Sequence, residues 1–125
     1  MKLRIEAEST VRDVQEKFQT VYPYLQIHFY KGNPKDRSNF QRLQKISADV
    51  LIKDLTLADK RISISIDNNT TVLELLGSFG DIGLEAEVCR KSGNHWVATS
   101  LTADWTLQRQ STEAMLINAK RHELP

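Results

Sequence analysis

The feature that most constrains this chain is a strand, helix and strand pattern that occurs twice in the same order. Residues 2–7 alternate between apolar and polar side chains, as a half-buried strand does, and the run RISISID from residue 61 repeats that alternation. Each strand is followed by a threonine that can cap a helix and then by apolar residues at helical spacing. A second alternating strand ends each copy. The pattern predicts two β-α-β units, at about 2–31 and 61–91.

The two copies keep one register across the helix. Four pairs of residues lie 61 positions apart: Thr10 and Thr71, Val11 and Val72, Asp13 and Glu74, and Phe18 and Phe79. Thr71 and Glu74 match a T-x-x-E capping box, and Thr10 and Asp13 resemble it with Asp in place of Glu. Caps and apolar stripes recur in unrelated helices for physical reasons, so chance similarity is the alternative. The common register favours an internal duplication.

A duplicated β-α-β unit predicts an α+β fold, a ferredoxin-like two-layer sandwich. Each right-handed crossover leaves room for a strand of the other copy, which gives a four-stranded antiparallel sheet with both helices on one face. In that arrangement the final strands of the two copies lie on opposite edges of the sheet, so His28 and Glu87 should not meet. A related two-layer α+β sandwich is the alternative.

Two additions follow the second unit, at about 95–121. The segment HWVATSL after Gly93 and Asn94 is rich in residues that favour strands, and we expect it to pair back on 84–90 as a hairpin. The segment from Thr102 onward then predicts a C-terminal helix capped by Asp104 or Thr106. At 125 residues the chain is expected to form a single domain, 1–125.

The connection between the units, 32–60, contains the strongest local charge in the chain. Residues 31–46 hold five basic residues and one acidic residue: Lys31, Lys35, Arg37, Arg42 and Lys45 against Asp36. The segment is either a contact for an anion or nucleic acid or a solvated connection, and the second interpretation is favoured. The following stretch, 49–55, predicts a short helix, with a strand as the alternative.

Charge and cysteine content limit the compartment and the partners. A net charge of +1 supplies no overall field for nucleic acid or anionic lipid. The first residues are charged, and no run approaches the roughly 18 apolar residues of a membrane span. Cys89 is the single cysteine, which agrees with a reducing compartment. We therefore expect a cytoplasmic protein that does not enter a membrane.

No motif predicts a catalytic, cofactor-binding or metal-binding residue. The polar face of the sheet lacks the aromatic pairs on which RNA bases stack in an RRM-type domain. Hairpin pairing could bring Cys89 near His95, with Asp104 as the acid that a Cys-His nucleophile needs. A buried cysteine beside a surface histidine is the favoured interpretation of that pair.

The candidate binding residues lie in the stretch RKSGNHWVATSLTADWTLQRQ. The turn could hold an anion or a partner carboxylate, and the two tryptophans could anchor a partner, although a plain turn and closure of the core are favoured. The candidates for binding a partner or an anion are Arg90, Lys91, Ser92, Asn94, His95, Trp96, Asp104 and Trp105.

Several segments resemble a family of small uncharacterised bacterial proteins. In the second half the resemblance is carried by Thr71-Val72, Phe79, Gly83-Leu84, the run RKSGN with Trp96, Thr102 with the run DWTL from Asp104, and Gln110. In the first half it is carried by Thr10-Val11, Phe18, Pro23, Leu25 and Phe29. The resemblance spans most of the chain outside 32–60. It implies the same fold unit and carries no named activity.

Three functions are compatible with these patterns. The favoured one is a non-catalytic module that self-associates or binds another protein, because a small sheet has free edges. The second is a small enzyme with a pocket between sheet and helices, in which His28, Tyr30 or His95 acts as an acid or base. The third is a nucleic-acid accessory protein that uses the basic residues of 31–45.

Overall fold

The computed structural model describes residues 2–5, 8–31, 44–55 and 62–123. Two short 3₁₀ turns occur, at Ile52–Asp54 and Ser100–Thr102. The strands and α-helices, in chain order, are β1 (Lys2–Ile5), α1 (Val11–Val21), β2 (Leu25–Lys31), β3 (Gln44–Lys45), β4 (Ile62–Ser65), α2 (Val72–Gly80), β5 (Glu85–Ser92), β6 (His95–Ala98) and α3 (Leu107–Glu123). The predicted α+β content is confirmed.

Both predicted capping boxes are present and start α1 and α2. The Thr10 hydroxyl accepts a hydrogen bond from the Asp13 N–H at 3.2 Å, and the Asp13 carboxylate accepts one from the Thr10 N–H at 2.9 Å. Thr71 and Glu74 make the same pair of bonds at 3.1 and 3.3 Å. The shorter Asp13 side chain therefore serves as Glu does, and each helix begins where its sequence predicts.

The strands pair in an order that differs from the ferredoxin-like sheet. β1 pairs with β4 in a two-stranded sheet, and a separate four-stranded sheet has the order β3-β2-β5-β6, with antiparallel pairing throughout. His28 lies directly opposite Glu87, so the prediction that these strands occupy opposite edges is wrong. The reason is that corresponding strands of the two β-α-β units pair with each other. Alternating polarity assigns a strand's two faces but does not choose the neighbour at its edge.

The core lies between the helices and one face of the larger sheet. Leu25, Ile27 and Phe29 of β2 are buried, and α1, α2 and α3 all contact β2 or β5. Phe29 meets Phe79 of α2 edge to face, with ring centroids 5.1 Å apart. The alternation predicted for β2 is confirmed, because its apolar positions face the helices and its polar positions lie on the other side.

A matching set of backbone hydrogen bonds continues past both β-α-β units. The Val11 N–H donates to Val50 at 3.0 Å, and the Val72 N–H donates to Trp105 at 3.1 Å. Two residues before these acceptors, Ala48 and Ala103 accept from the next helical N–H groups, both at 2.9 Å. These bonds fall on matching sequences, ADVLI at 48–52 and ADWTL at 103–107. Each chain segment after the second strand therefore returns to the N-terminus of its own helix.

The strands β3 and β6 occupy corresponding places in this longer pattern. The Ile46 N–H donates to the Phe29 carbonyl at 2.8 Å, and the Thr99 N–H donates to the Val88 carbonyl at 3.1 Å. The hairpin predicted for β5 and β6 is confirmed, with Gly93 and Asn94 in its turn. β3 lies beside β2 at one edge of the larger sheet, and β6 lies beside β5 at the other.

The basic segment between the units is only partly within the described residues. Lys35, Arg37 and Arg42 lie outside them, while Lys45 belongs to β3. The short helix predicted over 49–55 is reduced to the 3₁₀ turn at Ile52–Asp54. No helix in the described part of the chain has the length and apolar character needed to cross a membrane.

Candidate functional site

The eight candidate binding residues do not form one site. They lie on the β5-β6 hairpin and on the segment that leads to α3. Because successive strand residues point to opposite faces, Arg90 and Ser92 lie on the helix side of the sheet, and Lys91 lies on the other side. Pairing across the hairpin places His95 with Ser92 and Trp96 with Lys91. Arg90 and Lys91, which the sequence groups around one anion, therefore lie on opposite faces of the sheet.

The turn of the hairpin is held by α3. Gly93 has a φ of 64°, which favours glycine, and its N–H donates to the Asn118 side-chain oxygen at 2.9 Å. The Asn118 amide donates to the carbonyls of Lys91 at 3.2 Å and Ala114 at 2.6 Å. The Gly93 N–H is thus already paired and does not serve an anion. The turn has a structural role, as the sequence favoured.

A second buried amide side chain, that of Gln110, lies on the same face of α3 as Asn118, about two turns closer to the N-terminus of the helix. Gln110 has no exposed side-chain surface and accepts a hydrogen bond from the Arg90 guanidinium at 2.9 Å. Its amide donates to the backbone oxygen and to the hydroxyl of Thr102, both at 2.8 Å. Gln110 therefore joins β5, α3 and the segment that precedes α3.

Sequence reasoning did not identify Gln110 and Asn118 as the residues that fix the hairpin. The signal was present in their spacing, because Leu107, Gln110, Ala114 and Asn118 recur at helical intervals and all four are buried. Two polar members in that stripe made the apolar pattern too weak to assign its face. A buried polar side chain is stable only when its hydrogen bonds are made, and here the strand and turn supply them.

Trp105 lies beside two guanidinium groups. The Cζ atom of Arg109 is 3.9 Å from the ring centroid of Trp105, and that of Arg90 is 5.5 Å away. Both distances are within the range of a cation–π contact. The Nε atom of Arg90 is buried and has no hydrogen-bond partner. Trp105 therefore joins α3 to β5, and its ring contacts the positively charged guanidinium groups of both arginines.

The opposite face of the sheet carries polar and titratable groups. Gln26 and His28 of β2 are in contact, with His28 Nε2 3.2 Å from the Gln26 side-chain oxygen. The Cys89 thiol donates to Glu87 at 3.4 Å. Burial, together with the nearby Lys45, lowers the pKa of His28. Burial favours the neutral forms of the histidine and the thiol, because the charged forms would lose solvation by water.

The hairpin does not bring Cys89 to His95. Cys89 lies opposite Ala98, whereas His95 is exposed and paired with Ser92. Asp104 is exposed and belongs to the return segment on the helix side. Among the described residues, no group of three or more His, Cys, Asp and Glu side chains is placed to hold a metal ion. The cysteine is a buried strand residue, and the sequence favoured that interpretation.

The pH dependence of stability offers a test of this burial. Burial raises the pKa of the Cys89 thiol from its ordinary value of 9.0 to about 12. Between these values the unfolded chain loses a proton that the folded protein keeps, so the free energy of unfolding falls as the pH rises. We expect Cys89→Ala to lose less stability than the unsubstituted protein between about pH 8 and about pH 11 in urea unfolding.

Tyr22 and Tyr30 act in the same direction, since burial raises the pKa of each phenol. Some pH dependence should therefore remain in Cys89→Ala. If the free energy of unfolding fell equally steeply with pH in both proteins, a strongly raised pKa at Cys89 would be contradicted.

The strand β6 forms one edge of the larger sheet. The Thr99 bond to Val88 fixes the register of the ladder, so the backbone groups of His95 and Val97 face β5 and those of Trp96 and Ala98 face outward. In the described part of the chain no other element pairs with these outward groups. Val97 is 37% exposed and Leu101, just after β6, is 97% exposed.

The chain matches no model of a protein family, no curated protein and no solved structure.

Proposed function

We propose that the protein is a non-catalytic module that self-associates by pairing the outer edge of β6 with the same edge of a second copy. The observation that carries this proposal is that, among the described residues, no element pairs with the outward backbone groups of Trp96 and Ala98. An edge strand with free N–H and C=O groups is a template for a further strand. A pair of such edges related by a twofold axis gives a closed dimer.

The sequence of β6 contains none of the usual protections against pairing. Edge strands commonly carry charged residues, especially lysine, or a proline that removes a donor. The four residues of β6 are His, Trp, Val and Ala, with no Lys, Arg, Asp, Glu or Pro. The strand is therefore open to an antiparallel neighbour along its length.

One register makes this edge complementary to itself. When Val97 lies opposite Val97 of the second copy, Trp96 lies opposite Ala98, and the outward backbone groups of both strands meet. The large indole then faces a small methyl group, and two apolar side chains meet on the other face. No charged residues are placed opposite each other. The exposed Leu101 adds apolar surface beside the end of the strand.

Rigid attachment of the hairpin favours this mode of binding. Asn118 fixes the turn and Gln110 fixes Arg90, so the β5 side of the hairpin is held at two places by α3. An edge that is already extended loses little conformational freedom when a second strand pairs with it.

The contacts of the titratable groups support a non-catalytic role. A thiol whose pKa is raised to about 12 is not a nucleophile near neutral pH. His28 contacts Gln26 on one face, and His95 is on the other side of the sheet from Cys89. These positions supply no nucleophile with an adjacent base.

We also infer that the chain arose by duplication of a unit longer than β-α-β. The support is the correspondence of the return segments ADVLI and ADWTL and of their hydrogen bonds to the two helices. On this basis the unit includes β3 in the first copy and β6 in the second. We propose a reducing, cytoplasmic environment, supported by the single, unpaired Cys89.

The assembly is tested by measuring mass in solution against protein concentration. We expect the proportion of dimer to rise from low to high micromolar concentration in light scattering coupled to size exclusion. Ala98→Pro removes an outward N–H without removing a bond to β5, so this variant should remain monomeric. Leu101→Lys should weaken the dimer by removing apolar contact.

Leu116→Lys is the matched control, because Leu116 is also an exposed leucine but lies on α3. It should associate as the unsubstituted protein does. Circular dichroism and thermal unfolding establish that Ala98→Pro is folded. A monomer at all concentrations, or a dimer that Ala98→Pro leaves intact, would contradict the proposal.

A further inference from the structure

Arg90 and Arg109 bring two positive charges to Trp105 without a negative partner. Within the described residues, neither guanidinium lies within 4.0 Å of a carboxylate oxygen. The salt bridge that the described residues form joins Arg12 to Asp49, away from these two side chains in the sequence. Asp104 and Glu113, the acidic residues nearest to Arg109 in the sequence, and Glu87, the one nearest to Arg90, form no salt bridge with them. Two like charges held near one ring repel each other, and an anion between or beside them would offset that repulsion.

The hydrogen-bonding capacity of Arg90 is largely unused. A guanidinium has five N–H donors. One terminal nitrogen of Arg90 donates to Gln110, and the buried Nε donates to no acceptor. An incompletely paired charge in a half-buried position is costly, and an anion at the remaining terminal nitrogen would offset that cost.

Arg109 presents its charge to solvent. Its side chain is exposed, and its guanidinium lies over Trp105 at 3.9 Å. The backbone N–H of Arg109 is already bonded to the Thr106 hydroxyl at 3.1 Å. The free donors are therefore those of the side chain, which the indole holds in place.

The fold does not require this arrangement. The return segments correspond with an offset of 55 residues, which aligns Trp105 with Val50 and Arg109 with Asp54. The first unit makes the same backbone bond to its helix through Val50. It does so without an aromatic ring and with an acidic residue where the second unit has Arg109. The two arginines and Trp105 are thus a feature of the second unit alone.

We propose that Arg90 and Arg109, positioned by Trp105, bind a phosphoryl group. Guanidinium groups bind phosphate oxygens through paired, charge-assisted hydrogen bonds. A phosphate monoester carries about −1.5 to −2 charges near neutral pH, which matches two arginines better than a single carboxylate does. The ligand is either a small phosphate ester or a phosphorylated side chain of another protein.

Trp105 is a built-in reporter of this binding. In a Trp96→Phe background it is the only tryptophan, because the chain has two. Titration with inorganic phosphate should give a saturable change in its fluorescence. Sodium chloride at the same ionic strength should give none, and acetate should bind more weakly than phosphate.

Arg109→Gln in the same background should weaken phosphate binding by roughly tenfold or more, because one charge-assisted pair of donors is lost. Arg12→Gln is the matched control, an exposed arginine away from Trp105, and should bind as the parent does. Both variants are compared by thermal unfolding. Equal binding by Arg109→Gln and the parent, or an equal response to phosphate, acetate and chloride, would overturn the proposal.

Two further titrations distinguish the sources of the phosphoryl group. A phosphoserine peptide that binds more tightly than inorganic phosphate, while its unphosphorylated form does not bind, assigns the site to a phosphorylated protein. Equal affinity for the phosphopeptide and for inorganic phosphate assigns it to a small phosphate ester. Binding of the unphosphorylated peptide with the same affinity contradicts phosphoryl recognition.

Discussion

Replacement of Phe79 by alanine is expected to lower the free energy of unfolding by about 3–5 kcal/mol. Phe79 is fully buried on α2, and its ring meets Phe29 of β2 edge to face at 5.1 Å. These two residues belong to different β-α-β units, so the contact joins the units across the core. Removal of the ring leaves a cavity and also loses the aromatic contact.

The matched control for this substitution is Leu73→Ala on the same helix. Leu73 is 63% exposed, and its replacement should change the free energy of unfolding by no more than about 0.5 kcal/mol. Urea unfolding of both variants provides the measurement, with circular dichroism to follow the loss of helical structure. A loss below about 1 kcal/mol in Phe79→Ala would show that the two units are not joined through this ring.

Phe79 illustrates what the sequence alone predicts well. Its place in the repeated register, eight residues after the Thr71 cap, marked it as a core position of a helix. The same local patterns located the capping boxes, the faces of β2 and the hairpin turn at Gly93. Each of these depends on residues close together in the chain, where one geometry satisfies both the backbone and the apolar pattern.

The pairing of strands was not predictable in the same way. Alternation in β2 and β5 shows which side chains face the core, but either edge of a strand offers the same backbone groups to a neighbour. The ferredoxin-like order follows from the crossover rule, which applies to strands of a single sheet. In the structure each unit contributes its first strand to one sheet and its second strand to another, and that rule does not apply.

The candidate site shows a similar division between local and distant information. The hairpin and the position of Trp105 follow from the sequence near them. The contacts of Arg90 with Gln110 and Trp105 join residues 20 and 15 positions apart and depend on how α3 crosses the sheet. The correspondence between Asp49 and Asp104 was visible in the sequence as the repeated Ala-Asp pair, but only the hydrogen bonds of the two return segments show that it is structural.

Replacement of Gln110 by leucine is expected to lower the free energy of unfolding by about 2–4 kcal/mol. Leucine retains apolar volume on the buried face of α3, so the cost comes from lost hydrogen bonds more than from a cavity. Arg90 would lose its side-chain acceptor, and Thr102 would lose the amide that donates to its backbone and hydroxyl oxygens. A partly buried charge left without a partner is the most expensive of these losses.

The control is Gln108→Leu, since Gln108 is exposed on the same helix and its substitution should change stability by less than about 0.5 kcal/mol. Urea unfolding measures both variants, and hydrogen exchange at β5 and β6 reports on the hairpin. Leu107→Ala is the reference for exchange, because it damages the core through a neighbouring α3 residue without removing a polar contact. If Gln110 holds the hairpin, the amides of β5 and β6 should exchange faster in Gln110→Leu than in Leu107→Ala, when the two variants are compared under conditions of equal global stability. The same exchange rates in both variants would mean that Gln110 contributes only to general stability and does not position the β5-β6 hairpin.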